Sequence, residues 1–482
     1  MFNEYLESNS YKINSKGGLY YNKTYNYNLD LFTLASRGKS KLELIKLFIN
    51  AYNENKNLAV ANLLFNLDIR SGKGERFVFK TLFHELCLKD TNLALKVLYL
   101  IPQLGRYDYI LETLDTSLWK NTIELIKTQL ESDIKSDNPS LLAKWLPSVR
   151  THNINNMLAI KIARDLNISL KEYRKTLSLI RNKLKIVEHN ITNKTISLID
   201  YEKVPSIAMK KYYNVFLRDD KERFNSYIND VKSGTKKINA SVIEPYQIIK
   251  EAIKESNYWL DDCGQFNDND ILNELWKNQH DVLDGDNTNT LVVADTSGSM
   301  WSYNMLPISC ALGLALYIAE RNKGIFHNTF INFSDNPTFQ KLVGETLIEK
   351  LNSIDYDNWA GTTNIDKTLE LILNASKNSD KTESPSHLII ISDMEFDMSV
   401  KNKPNYKYWQ YEYKKYDLEM PKIIFWCVSD NQMGIPICKH DNGAIIISGY
   451  TPKIFKGILN IENYNPVEAM LEILNKYIKL LN

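Results

Sequence analysis

From about residue 29 to residue 257 the apolar side chains recur at three- and four-residue intervals, the period of a helix with one buried stripe. Leu42, Leu44, Ile45, Leu47, Phe48 and Ile49 follow Ser40, which is placed to cap a helix. Leu58, Ala61, Leu63, Leu64 and Leu67 mark a second stripe, and Phe77, Phe79, Leu82, Phe83, Leu86 and Cys87 a third. A fourth runs from Leu93 to Pro102. The same period predicts helices over 106–115, 117–131, 138–147, 153–165, 169–185, 206–216, 221–232 and 242–256. Helices in series joined by short turns predict an α-solenoid of diverged helix pairs. After residue 290 the pattern changes. Continuous apolar runs over 291–295, 387–393, 421–428 and 443–449 read as buried strands, and 326–334 as a strand or strand pair. They alternate with helical stretches over 304–322, 342–354, 364–377, 452–460 and 465–481. This alternation predicts an α/β doubly wound (Rossmann-like), mainly parallel sheet.

The predicted division is therefore an N-terminal arm at 1–28, a helical domain at 29–257, an acidic linker at 258–287 and an α/β domain at 288–482. The linker carries eight acidic residues and one Lys, and reads as a solvated connector with a short helix at 271–280. Its acidic spacing does not match a calcium loop. Residues 399–420, rich in Lys and Tyr around Trp409, read as an insertion, either a partner surface or a loop.

The net charge is only +1 over 482 residues, but it is uneven. Residues 1–257 hold 40 basic and 28 acidic side chains; residues 288–482 hold 18 and 22. A basic helical half admits a polyanion partner or simply a solvated helix surface. The five cysteines are scattered, without a Cys-x-x-Cys pair, which predicts reduced thiols in a cytoplasmic setting. No apolar run reaches membrane length and the first residues do not read as a secretory signal. The expectation is an intracellular protein without a membrane partner, and a monomer.

The chemistry concentrates in three segments of the α/β half. Asp295, Ser297 and Ser299 follow the strand at 291–295, Thr363 precedes the helix at 364–377, and Asp393 ends the strand at 387–393. In an open α/β sheet the carboxyl ends of the strands form the ligand edge. Two carboxylates and three hydroxyls are hard oxygen donors, suited to Mg2+ (or Mn2+ or Ca2+) rather than to zinc. Thr362 is a substitute for Thr363, and the competing reading is that Ser and Asp merely cap a helix after Met300. The order Asp-x-Ser-x-Ser, Thr, Asp resembles the metal-ion-dependent adhesion site (MIDAS) of von Willebrand factor A domains. The resemblance implies Asp295, Ser297, Ser299, Thr363 and Asp393 as the metal set, with one position left for an acidic side chain of a protein partner. No His, Lys or Cys in these loops supplies a base or nucleophile, and the seven histidines are isolated, so catalysis is not expected.

In the basic half, Arg70-Ser-Gly-Lys-Gly-Glu-Arg76 lacks the spacing of a nucleotide-binding phosphate loop and follows a helix rather than a strand. It reads as a tight turn. It is followed by Leu104-Gly-Arg-Tyr-Asp108, Lys144-Trp-Leu-Pro147, Tyr201-Glu-Lys-Val-Pro-Ser206, Asp220-Lys-Glu-Arg-Phe224 and Lys237-Ile-Asn-Ala240. With the metal motif, this series is similar to an uncharacterised family related to the TROVE-module proteins, which include the Ro autoantigen. The resemblance spans nearly the whole chain from about residue 30. It implies a HEAT-like helical ring closed by a von Willebrand A domain. It also implies a ribonucleoprotein role in which the ring binds single-stranded RNA ends or small structured RNAs. Arg70, Lys73, Arg76, Arg106, Lys144, Arg150, Arg174, Lys175, Arg181 and Lys183 are the candidate phosphate contacts, with Tyr107, Trp145 and Tyr173 as stacking groups. Each has a structural competitor: Arg106 can pair with Asp108, and Trp145 can be core. The reading is a non-enzymatic RNA-binding protein with a Mg2+-dependent protein-recognition domain. The alternative is a protein–protein scaffold without nucleic acid.

Overall fold

Ser40 opens its helix with a reciprocal cap. Its side chain accepts from Glu43 N, and the Glu43 carboxylate accepts from Ser40 N. Ser169 and Glu172 repeat the device. The computed structural model describes the chain except residues 1–11, 14–18, 22, 150–153, 257–264, 284–288, 335, 358, 360–362, 381–382, 395, 397–404, 430–434, 438, 459–460, 462–463 and 482.

In chain order, a two-stranded antiparallel pair, β1 (Lys12–Ile13) and β2 (Leu19–Tyr20), precedes α1 (Tyr27–Leu34), α2 (Lys41–Glu54) and α3 (Lys56–Leu67). Then come α4 (Arg76–Lys89), α5 (Thr91–Leu104), a 3-10 segment at Tyr107–Thr113, α6 (Trp119–Lys135) and α7 (Leu142–Trp145). They are followed by α8 (Ile154–Asp165), α9 (Leu170–Lys183), α10 (Val187–Thr192), α11 (Ser206–Asp219) and α12 (Lys221–Lys232). Next are α13 (Pro245–Glu255), α14 (Asp270–Lys277), β3 (Thr290–Asp295) and α15 (Ser302–Arg321). The remainder is β4 (Thr329–Phe333), β5 (Thr338–Lys341), α16 (Leu347–Asn352), α17 (Ile365–Lys377), β6 (His387–Ser392), α18 (Asn405–Lys414), β7 (Lys422–Cys427), β8 (Ala444–Ser448) and α19 (Pro466–Leu481). Where a helix was expected over 138–147, only one turn forms, because Pro139 and Pro147 bound it on either side. Among the described residues no helix is long and apolar enough to cross a membrane.

Two compact units divide the chain. One joins residues 1–62 to 238–480; the other holds 63–237 and the last two residues. These cuts differ from the expected ones. The arm and first helices belong with the α/β unit: Tyr21 exchanges backbone hydrogen bonds with Ile435, and α1 packs beside β8. The segment expected as a solvated linker supplies α14, whose Ile271, Leu272, Leu275 and Trp276 are buried. Trp276 Nε1 donates to Glu320 on α15 at 2.6 Å. Likewise α13 packs along α15, where a Cβ on Gly313 would come within 2.9 Å of Tyr246 N.

The sheet of this unit is mixed, in the order β5-β4-β3-β6-β7-β8. Only β5 runs antiparallel; this short edge strand was not expected, and the helix expected over 342–354 forms only over Leu347–Asn352. Every residue of β3 and β6 is buried, so both sheet faces are covered. Leu291, Val293, Leu388, Ile390, Ile423 and Phe425 form one core with Leu369 and Ile372 of α17 and with Trp409 and Tyr413 of α18. Helix α15 packs against β3, β4 and β6 outside that core, on the opposite face. The insertion therefore contributes core: Trp409 is buried and its Nε1 donates to Asp366 at 2.6 Å.

In the other unit, sequential helices pack on one another: α4 on α5, α9 against α6, α7 and α8, and α11 on α12. The motifs at 201–206 and 220–224 are structural. Tyr201 lies 5.2 Å from Phe216 and 5.0 Å from Phe224, and Arg223 covers it at 4.4 Å while donating to the carbonyls of Ile196 and Ile199. The turn at 70–76 is also set by backbone geometry. A Cβ on Gly72 would lie 2.3 Å from Phe65 O, and Gly74 has φ +60°.

Candidate metal centre and basic surface

Strand order places the sequence-predicted metal residues. β4 lies on one side of β3 and β6 on the other, so the chain reverses its winding direction between them and opens a crevice at their carboxyl ends. Asp295 ends β3 and Ser392 ends β6, in adjacent parallel strands that pair Ala294 with Ile391. Asp295 is fully buried. Its Oδ2 accepts from Ser392 Oγ at 2.6 Å, and its Oδ1 accepts from Ser297 N at 3.0 Å. Ser297 Oγ lies 3.1 Å from Ser299 Oγ. Asp393, next after Ser392, is buried too. Thr363 is buried, immediately before Asn364, whose side chain caps α17 by accepting from Lys367 N at 3.0 Å. Trp301, two residues past Ser299, stands 6.3 Å from Trp359, four residues before Thr363. That contact ties the second loop to the first. Thr362 lies outside the described residues.

Burial holds the Asp295 carboxyl well above the ordinary carboxylate range, and the nearby Asp393 carboxylate pushes it the same way; the hydrogen bonds from Ser392 and Ser297 oppose both. Two buried carboxylates that repel each other gain from a cation between them. The donor set is two carboxylates and three hydroxyls, which suits a hard divalent ion. It is unlike a zinc or iron set: among the described residues no three His, Cys, Asp or Glu gather to hold a metal. The capping alternative finds little here. Ser297 stands at the N-cap of the 3-10 turn Gly298–Trp301 without a side-chain cap hydrogen bond. Left-handed, non-glycine backbone flanks the site at Asn304 (φ 57°), Met305 (φ 59°) and Met394 (φ 68°).

In the helical unit, part of the basic candidate set converges on α7. The Arg106 guanidinium lies 3.6 Å from the Trp145 ring and makes a forked pair with Asp108, at 2.9 and 3.0 Å. Arg76 reaches the same carboxylate at 2.9 Å, so two guanidinium groups share one acid. Lys144 lies 5.7 Å from the Trp145 ring. Arg181 donates to the carbonyls of Ala143 and Leu146 and to Ser148 Oγ, and Lys183 to the carbonyls of Ile134 and Ser136. Arg70 donates to Gln103 O. Lys73 is 5% exposed and sits under the Phe65 ring. Arg174 and Lys175 are exposed on α9. Tyr173 is buried, its hydroxyl donating to Pro147 O, and Tyr107 is half-buried. Arg150 lies outside the described residues. The sequence reading missed the aromatic pair Trp301 and Trp359, although both stand beside metal motifs, and it missed Ser392.

Among the described residues the histidines do not gather. His84 contacts Glu112 O, His327 contacts Asn322 O and His387 contacts Ser386 Oγ. Cys87, Cys310 and Cys427 are buried, reduced thiols.

Comparison with known proteins gives two family matches. Residues 289–476 match a domain of unknown function, DUF7788, and residues 117–290 match another, DUF2828. The chain is also similar to Uncharacterized protein L728 of Acanthamoeba polyphaga mimivirus, 26% identical over 510 residues that cover 95% of this chain and 86% of the relative.

Proposed function

We propose that this chain is a non-enzymatic binding protein whose α/β unit is a von Willebrand A-like domain with a Mg2+ site of the adhesion type. The observation that supports it is the junction of β3 and β6, where buried Asp295 is held by Ser297 and Ser392, Ser297 Oγ lies against Ser299 Oγ, and the buried Asp393 carboxylate is near enough to act on Asp295. In this reading Asp295, Ser297, Ser299, Thr363 and Asp393 hold the ion, some through water, and an acidic side chain of a protein partner completes its shell. Ser392 orients Asp295 rather than binding metal, as partners behind a ligand do. The basic helical unit, read as a HEAT-like TROVE relative, takes single-stranded or small structured RNA. The scaffold alternative has its own support, because Arg106, Arg181 and Lys183 use donors inside the fold and Lys73 is buried.

Metal binding to the folded state raises its stability by about 2.7 kcal/mol at a hundredfold excess over the dissociation constant. Mg2+ is expected to raise the melting temperature of the wild type and to leave Asp295→Asn and Asp393→Asn unmoved. Asp295→Asn alone, without metal, is expected to melt no lower than the wild type, since it removes a buried charge. Equal Mg2+ shifts in all three proteins would remove the site.

A further inference from the structure

The partner-facing rim of the site contains a glycine that the fold does not require and two indoles that do more than tying the loops together needs. Gly298 sits between the metal loop's two serines, is exposed, and an added Cβ there would meet nothing within 4 Å. Its φ is not left-handed, since it is absent from the positive-φ glycines. So neither backbone conformation nor packing demands glycine here, unlike Gly72 or Gly313. Open space above the loop is what the residue provides.

Trp301, three residues past Gly298, and Trp359 stand on two different loops, half-buried and 6.3 Å apart. Trp359 is braced from behind. Tyr356 lies 4.5 Å from its ring and donates its hydroxyl to Leu351 O at 2.8 Å, and Phe266 lies 6.1 Å from Tyr356. Trp359 Nε1 is enclosed and has no hydrogen-bond partner among the described residues. A buried donor left unpaired costs about 1–3 kcal/mol. An indole at this position is therefore a poor choice for stability alone; a phenyl ring would pack without an orphan donor. A large, rigid indole surface beside a metal loop is what an apolar contact would select.

We propose that Gly298, Trp301 and Trp359 form an apolar docking rim, and that the partner is an acidic residue flanked by apolar side chains on an exposed protein segment. This rests on the metal reading above. The acid reaches the ion over Gly298, and its apolar neighbours lie on the two indoles. The rim sets specificity; the metal alone would take any carboxylate.

The test uses full-length protein carrying 5-fluorotryptophan, with the Trp301 and Trp359 resonances assigned from Trp301→Phe and Trp359→Phe. The probes are two capped pentapeptides with central aspartate, one flanked by leucines (Gly-Leu-Asp-Leu-Gly) and one by serines (Gly-Ser-Asp-Ser-Gly), each titrated with Mg2+ and with EDTA. With Mg2+ the leucine peptide is expected to bind at least tenfold tighter than the serine peptide and to move both assigned resonances; EDTA abolishes both effects. Gly298→Leu keeps the Mg2+ melting shift and weakens the leucine peptide at least tenfold. Trp359→Phe melts no lower than wild type yet loses most of the preference. Equal affinity for the two peptides, or unchanged binding to Gly298→Leu, with the Mg2+ shift intact overturns the rim and leaves the metal reading standing. Loss of the Mg2+ shift in the wild type overturns both.

Discussion

Single residues carry most of the chemistry here, and their protonation exposes how they are held. Asp30 on α1 accepts from Thr24 N at 2.6 Å, but its burial raises its pKa, and nearby Glu54 adds to the rise. The sign follows from linkage. A carboxyl whose folded pKa lies above its unfolded value keeps its proton longer in the native state, so stability falls as pH rises from the unfolded value through the folded one. Asp30→Asn cannot ionise and still offers an acceptor to Thr24. Chemical denaturation of wild type and variant between pH 3.5 and 7 is expected to show a smaller decline with pH for the variant, and no loss of stability at pH 7. A steeper decline in the variant would contradict the assignment. At this scale the sequence was legible where spacing encodes chemistry. Asp295, Ser297, Ser299, Thr363 and Asp393 could be picked out as candidates because they fall at or just past the ends of β3 and β6 and just before α17. Ser392 was hidden because a serine within an apolar run looks like strand. Trp301 and Trp359 were hidden because their meeting depends on two loops 58 positions apart closing on each other.

At the scale of elements, periodicity located most helices and strands and misjudged their company. Helix α14 was placed near its true position, yet its acidic flanks made it look solvated; the period of Ile271, Leu272, Leu275 and Trp276 was the better signal. The insertion at 399–420 hid a core helix for the same reason, because Lys and Tyr surround Trp409 and Tyr413. Nothing local reveals that α13 packs on α15 rather than on the helices before it. The close approach is made by Gly313, where the nearest atoms to an added Cβ are Tyr246 N at 2.9 Å, Pro245 C at 3.0 Å and Tyr246 Cα at 3.1 Å. Alanine in a helix gains about 1 kcal/mol over glycine from propensity alone. Here the opposing atoms are backbone and cannot rotate away, so overpacking of roughly 1–3 kcal/mol outweighs that gain. Gly313→Ala is expected to lower the denaturation midpoint. A rise would mean that α13 is free to slide off α15.

Over the whole molecule, charge separates the halves in sequence as the hydrophobic period does, and it is the less specific of the two. An excess of about twelve positive charges before residue 258 attracts any polyanion, and the structure shows many of those groups already engaged. A test of RNA binding therefore has to avoid residues that also hold the fold. Arg106 fails that criterion, since its removal breaks the Asp108 pair and uncovers Trp145. Arg174 and Lys175 meet it: both are exposed on α9, and Arg174 donates to the Leu170 carbonyl of its own helix. For single strands, the logarithm of affinity falls with the logarithm of salt with a slope near −0.7 per phosphate contacted. If both residues hold phosphates, Arg174→Ala with Lys175→Ala should make that slope shallower by about 1.4. The double variant should melt like the wild type, because neither side chain is packed. The measurement is a fluorescence titration of a 20-nucleotide uridine strand from 50 to 300 mM salt on both proteins. A wild type that does not bind at 50 mM salt would end the RNA reading and favour the scaffold. Binding with identical slopes would instead move the contact to Arg76 and Arg106, two guanidinium groups that share the one Asp108 carboxylate and leave a positive charge for a phosphate.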